Sequence, residues 1–232
     1  MVLLPMENKS KRLTDQVASK IGLDIIAGRL ESGALLPNDA ELGQLYNVSR
    51  VVLREALRML GAKGLVNAVP KAGTFVCPRQ NWAMFDPLIL EWLTRETPPE
   101  KRRAFLHELL DLRLMFEPGA AALAASRASP EARQNISDQF ARLRQAGIGL
   151  DTAAAELRYF SLVLESAGND FLAPLQQVNR ISHDIIEKIG HRYTRDFDSR
   201  PHERLTRAIL NHDAAASRAS MQSALLSLYV RS

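Results

Sequence analysis

Cysteine is nearly absent. The 232-residue chain has one, Cys77, which excludes an internal disulfide and suits a reducing cytoplasm; it reads as a small apolar side chain at a strand end. Long hydrophobic runs are missing as well, none reaching the ~18 residues of a membrane span. The opening MVLLPMENKSKR is briefly apolar, but its charges follow the apolar part and no small-residue cleavage site appears. A frayed N-terminal arm is expected there, not a secretion signal. From Asn81 onward there is no strand alternation, repeat, low-complexity tract or heptad seam, which leaves helices. That part also lacks any charge excess. Residues 81–232 carry 19 basic and 19 acidic side chains, whereas residues 1–80 carry 11 and 7, so the whole net charge of +4 sits in the N-terminal part. A polyanionic partner is therefore assigned to the first part alone.

The length gives room for two modest domains. The most informative stretch is Leu36 to Val76, LPNDAELGQLYNVSRVVLREALRMLGAKGLVNAVPKAGTFV. Asn38 with Glu41 three residues on forms a capping box and starts a short helix to Tyr46. A turn through Asn47 and Val48 follows. Ser49 then caps a second helix to about Ala62, with Val52, Leu53, Ala56, Leu57 and Leu60 on its buried face. Two strands, Leu65 to Val69 and Thr74 to Val76, are joined by a turn carrying Pro70, Lys71 and Gly73. The pattern predicts a winged helix-turn-helix, with a helix from Leu13 to Gly28 as its third wall. The second helix leaves Arg50, Arg54 and Arg58 in one outer row beside Ser49, where a recognition helix meets base edges and phosphates. Taken alone, such a row is more often a solvated face.

The segments LPNDAEL, VSRVVLREAL and GLVNAVPKAGTFV resemble the DNA-binding domain of the GntR superfamily of bacterial transcription regulators. The resemblance implies that Ser49, Arg50 and Arg54 contact operator DNA and that the wing tip, Lys71 to Gly73, enters the minor groove. Two departures stand out: Ala40 lies where the family usually has a DNA-contacting arginine, and Val51 where several relatives have a small polar residue.

The boundary is placed between Pro78 and Arg79, giving a DNA-binding domain over 1–78 and a helical effector-binding and dimerisation domain over 79–232. The helices are expected over Trp82 to Leu93, Glu100 to Arg127 with a kink or break at Pro118-Gly119, Ser129 to Gly147, Asp151 to Gly168, Phe171 to Tyr193, Arg200 to His212 and Ala214 to Val230. The fold class is mainly α: a winged helix-turn-helix followed by an antiparallel bundle of six or seven helices. DLRLMFEPGAAALAA, AELRYFSLVLESAGN and HERLTRAILNHDAAASRASM resemble the all-helical ligand-sensing FCD domain of the FadR branch of the superfamily. RQNWAMFDPLILEWL resembles the linker helix of regulators of sugar-acid catabolism, a pointer to ligand class.

Many members of that branch hold a divalent metal inside the bundle through an Asp, a His four residues on, and two later histidines. Here the Asp position is Glu156 and one histidine survives as His202, but Phe160 and Ala224 replace the others. Two ligands seldom hold Zn²⁺ or Ni²⁺ tightly. No metal cofactor is therefore expected, with weak occupancy at Glu156 and His202 left open. Glu156 and His202 remain candidates to bind an effector's hydroxyls, Arg113 its carboxylate in bidentate fashion, and Asn179 and Ser182 further polar groups. The plainer alternative is that Arg113 pairs with Glu117 one turn away and that His202 caps a helix after Pro201. His107 and His191 read as surface or interface residues.

A cytoplasmic homodimer is expected, since operators are usually palindromic, with duplex operator DNA and a small carboxylate or sugar-acid effector as partners, repression as its role and no enzymatic activity. Two alternatives are an effector-free DNA-binding protein, its pocket filled by side chains such as Phe160, and a metal phosphohydrolase built on His183-Asp184 and His212-Asp213.

Overall fold

The computed structural model describes residues 9–146, 150–189 and 197–231. Residues 1–8 of the expected N-terminal arm, the helix end near Gly147, His191 and Tyr193 lie outside the described residues, while Lys9 to Arg12, expected in the arm, are helical. Among those residues are ten α-helices and one β-hairpin, in two units that divide between Glu96 and Thr97.

The first unit contains α1 (Lys9–Ile26), α2 (Asp39–Tyr46), α3 (Arg50–Ala62), β1 (Val66–Val69), β2 (Gly73–Val76) and α4 (Pro87–Glu96). Val17, Ala18, Ile21 and Ile25 of α1 are buried, and α1 packs on α3 through the latter's buried Val52, Leu53, Ala56 and Leu60. Each side chain recurs at helical spacing, so one face of each helix leaves water. The hairpin is antiparallel, with Val66 opposite Val76 and Val69 opposite Gly73. The residues ahead of α2 extend it: Val76 N–H donates to Ala34 O and Leu36 N–H to Thr74 O, with Leu35 bridging Phe75. This third edge ties the start of α2 to the wing and was not anticipated from the sequence.

The predicted helix at Trp82 is corrected, because α4 begins at Pro87. Proline lacks an amide hydrogen and suits the first turn, while the Asp86 carboxylate accepts from Leu88 N–H at 2.9 Å and Ile89 N–H at 3.4 Å. Asp86 also pairs with Lys63 at 2.6 Å. The compact units divide at Glu96/Thr97, beyond the boundary expected at Pro78/Arg79, because α4 packs with α1. Ile89, Leu90, Trp92 and Leu93 are buried in the first unit, and Trp92 lies so close to α1 that a Cβ on Gly22 would be 2.3 Å from its ring. Gly64 turns the chain out of α3 at φ +73, and a Cβ there would meet Asn81 O at 2.0 Å. Gly64→Ala is expected to cost at least the ~1–2 kcal/mol of a left-handed non-glycine residue. The transition followed by the fluorescence of Trp82 and Trp92 should fall, both tryptophans being in this unit.

The second unit contains α5 (Arg102–Arg127), α6 (Pro130–Gln145), α7 (Leu150–Glu165), α8 (Gln176–Ile189), α9 (Arg200–Leu210) and α10 (Ala214–Arg231). Helix α5 is the spine, with α7, α8, α9 and α10 packed against it. At Pro118, where a kink or break is expected, α5 continues without a break, with Pro118 buried. Packing on several sides holds the helix together where one backbone hydrogen bond is lost. The helix expected from Phe171 is also corrected. Pro174 sits in a 3₁₀ turn, Asp170–Leu175, and α8 follows it.

Buried Arg133 of α6 donates to Ala125 O near the end of α5, at 2.9 Å, and to Ile209 O near the end of α9. Helix C-termini leave carbonyls unpaired and carry partial negative charge, so one guanidinium satisfies two helix ends.

Candidate functional site

Local chemistry positions the outer face of α3. The Asn38 side chain accepts from Ala40 N–H at 2.9 Å and Glu41 N–H at 3.1 Å, while Glu41 accepts from Asn38 N–H at 3.0 Å. This is the expected capping box. Asn47, left-handed at φ 52, closes α2, and the Ser49 side chain accepts from Val52 N–H at 3.4 Å to open α3. Burial of Leu53, Ala56 and Leu60 then forces Arg50, Arg54 and Arg58 outward, and all three are exposed.

The three arginines differ in their surroundings. Arg54 Nε lies 3.0 Å from Asp39 Oδ2, on the first turn of α2. Arg58 is clasped by Glu55 of its own helix at 2.6 Å and 3.0 Å, and these bonds hold the Glu55 carboxyl below its usual range. Arg50 has no ion-pair partner among the described residues. A groove runs between the start of α2, Arg50 and Arg54, and the wing at Ala72, Gly73 and Thr74. Lys71 is exposed and left-handed at φ 65. Gly73 at φ 112 passes Leu35 so closely that a Cβ would lie 2.6 Å from its side chain. The predicted set Ser49, Arg50, Arg54, Arg58, Lys71 and Gly73 thus belongs to the exposed helix and wing of one unit. Asp39 and Glu55 escaped the sequence reading. Glu55 had a signal in its three-residue spacing from Arg58; Asp39 had none.

The second candidate site is buried. Arg113 and Glu117 of α5, Glu156 of α7, Asn179 of α8 and His202 of α9 are all fully buried. Arg113 Nε donates to Glu117 Oε1 at 2.5 Å and Nη2 to Oε2 at 3.3 Å. The plainer sequence alternative for Arg113 is therefore present, but inside the bundle, and Nη1 is left without a hydrogen-bond partner among the described residues. Burial lifts the Glu117 carboxyl above its usual range, opposed by the Arg113 charge. The guanidinium also lies 5.0 Å from the Phe160 ring centroid, within cation–π range.

His202 Nε2 stands 2.9 Å from Glu156 Oε1, a close contact without hydrogen-bond alignment. His202 is therefore no surface cap. His183 Nε2 approaches the other Glu156 oxygen at 3.9 Å, and its Nδ1 is 3.0 Å from Asn179 O. Both amide atoms of Asn179 lack a partner among the described residues. The Phe160 ring lies near both imidazoles, 5.3 Å from His202 and 6.4 Å from His183 between centroids. Tyr159 braces His202 from the next position, donating to His202 O at 3.2 Å and contacting Thr206 Oγ1 at 2.8 Å; burial pushes its phenol upward. Ser182 instead donates to Val178 O at 2.7 Å, within its own helix. His183 was read from the sequence only as half of a His-Asp pair, although its four-residue spacing from Asn179 puts both on one face of α8. His107 is half-buried and stacks on Tyr229 with ring centroids 4.9 Å apart.

Unpaired polar atoms in a protein interior are costly and uncommon, and here Arg113 of α5, Asn179 of α8 and His202 of α9 each carry at least one. Their donors suit an anionic, hydrogen-bonding ligand.

The model of the bacterial regulatory proteins of the gntR family matches residues 13–76, and the FCD domain model matches residues 108–226. The chain belongs to the GntR family. As such it is a DNA-binding transcription regulator with an effector-binding FCD domain. This GntR-family chain is 30% identical over 226 residues to the uncharacterised HTH-type transcriptional regulator YieP of Escherichia coli K12, covering 94% of each. It is 28% identical over 210 residues to the galactonate operon transcriptional repressor of the same strain, covering 88% of this chain and 90% of that protein. A Streptococcus agalactiae GntR shares the fold, with a TM-score of 0.52 at 20% identity over 94% of this chain and 100% of that one.

The GntR and FCD matches and these relatives describe regulators, not enzymes. The His-Asp pairs have structural roles of their own: His212 is a left-handed turn residue at φ 59, and Asp213 caps α10 through Ala216 N–H at 2.9 Å. The metal-ligand set that the resemblance implies does not fit the residues present. Phe160 and Ala224 offer no donor, and among the described residues no three His, Cys, Asp or Glu side chains are grouped to hold an ion. No helix among the described residues is long and apolar enough to cross a membrane.

Proposed function

We propose that this chain is a cytoplasmic, homodimeric repressor that releases its operator when a small carboxylate or sugar acid binds in the FCD domain. The observation that carries the reading is the buried set Arg113, Asn179 and His202, in which Arg113 Nη1, both amide atoms of Asn179 and His202 Nδ1 have no hydrogen-bond partner among the described residues. Arg113 Nη1 receives the effector carboxylate, while Glu156, Asn179 and His202 take its hydroxyls. Similarity to a galactonate operon repressor supports the sugar-acid class. The cluster binds without a resident metal, the Arg113 guanidinium supplying the positive charge.

In a dimer the winged units occupy two half-sites about one helical turn apart. Ser49, Arg50, Arg54 and Arg58 enter the major groove, and Lys71 and Gly73 follow the minor groove. Effector binding favours a dimer state whose recognition helices no longer match that spacing.

Thermal-shift screening of the full chain with aldonic and uronic acids, galactonate among them, tests the effector. A ligand at 100 times its Kd adds about 2.7 kcal/mol of stability, and the same compound should dissociate a fluorescent duplex of the gene's upstream region. Elemental analysis of protein purified without chelators should find less than one Zn or Ni per chain. Failure of every acid to stabilise the chain, or stoichiometric metal, overturns this part of the proposal.

A further inference from the structure

The Asp39–Arg54 pair is an odd place for an acidic side chain: it lies on the face that must approach a polyanion, lining the groove between recognition helix and wing. Stability does not account for it. Arg54 keeps 74% and Asp39 38% of its side chain exposed, and pairs so exposed contribute little to stability. Phosphate binding does not account for it either, since a carboxylate beside the arginine weakens attraction to the backbone.

We propose that Asp39 is a specificity-determining positioning residue, which holds Arg54 by Nε so that the remaining guanidinium edge is aimed at a guanine. The proposal rests on the reading of Arg54 as a base-contacting residue. Three features support it. Asp39 is itself rigidly placed, as the first residue of α2 immediately after the Asn38 capping box. The contact is made through Nε, leaving the Nη1 and Nη2 edge free to match guanine O6 and N7 bidentately. The neighbouring arginines differ: Arg58 is neutralised by both oxygens of Glu55, and Arg50 has no ion-pair partner among the described residues. Of the three, Arg54 alone has its direction set from a second helix. The negative charge of Asp39 acts in the same sense, since it disfavours Arg54 resting on a phosphate when the base is wrong.

The test begins with a duplex selected from a random library by the full-length wild-type chain. Binding to it and to a scrambled duplex of equal length is measured by fluorescence anisotropy for Asp39→Asn, Asp39→Ala, Arg54→Ala and Arg54→Ala combined with Asp39→Ala. Pre-ordering one long side chain is worth ~0.5–1.5 kcal/mol, so either Asp39 variant should bind the selected duplex roughly two- to twelvefold more weakly. Affinity for the scrambled duplex should hold or rise, and the specificity ratio should fall. In the Arg54→Ala background, removing Asp39 should leave the ratio unchanged. Equal loss on both duplexes, equal gain on both, an unaltered ratio, or the same fall without Arg54 would each overturn the proposal. Wild-type affinity of Arg54→Ala for the selected duplex would instead remove the base-reading role on which the proposal stands; loss with Arg54→Ala but none with Asp39→Asn would sink the proposal alone.

Discussion

Glu117→Ala is expected to destabilise the helical unit by about 3–5 kcal/mol, the cost of leaving a buried charge without its partner. Arg113 and Glu117 are both fully buried, and the carboxylate satisfies two of the guanidinium nitrogens. Removing it strands the cation in a region where Phe160 offers only a ring face. The double replacement Arg113→Met with Glu117→Leu should recover most of the loss, since apolar side chains of similar volume remove both charges together. That double variant should fail to bind any acidic effector. Denaturant titrations separate the units, because Trp82 and Trp92 belong to the first unit, while far-UV circular dichroism is weighted towards the longer helices of the second. The dichroism transition should move and the fluorescence transition should stay. A cost below about 1 kcal/mol would mean that water reaches the pair.

Arg54→Ala is expected to lose about 1–3 kcal/mol of operator binding, with relaxed discrimination at one base pair. Lys71→Ala provides the contrast. A wing lysine facing the backbone should weaken binding to all sequences alike and lower the salt slope by about one. Fluorescence anisotropy over a range of salt concentrations reads both. Equal loss of specific and non-specific affinity in Arg54→Ala would turn it into a phosphate contact.

The winged unit was legible because its signals are local. Asn38 with Glu41 and Ser49 with Val52 are contacts across two or three residues, and the buried stripe of α3 needs only helical spacing. The start of α4 was misjudged where apolar spacing was given more weight than Pro87, which suits a first turn. Pro118 erred in the opposite direction: its tendency to break a helix yielded to tertiary packing around α5. In the buried cluster, Arg113, Glu156 and His202 came from family resemblance and Asn179 from its place on the preceding helix, and the structure adds His183, which no periodicity connects to Glu156.

The sequence by itself determined that a basic winged helix-turn-helix precedes a charge-balanced helical bundle, and that three arginines and a lysine lie on the outer surface of the first. Caps, turns and amphipathic periods act over one or two helical turns, so the chain records them directly. Only the tertiary structure decided that Asp39 meets Arg54, that Arg113 turns to Glu117 in the buried interior, that Phe160 lies near two histidines, and that the first unit runs to Glu96. These depend on which helices lie side by side and what they exclude from water, a choice made by packing over the whole unit.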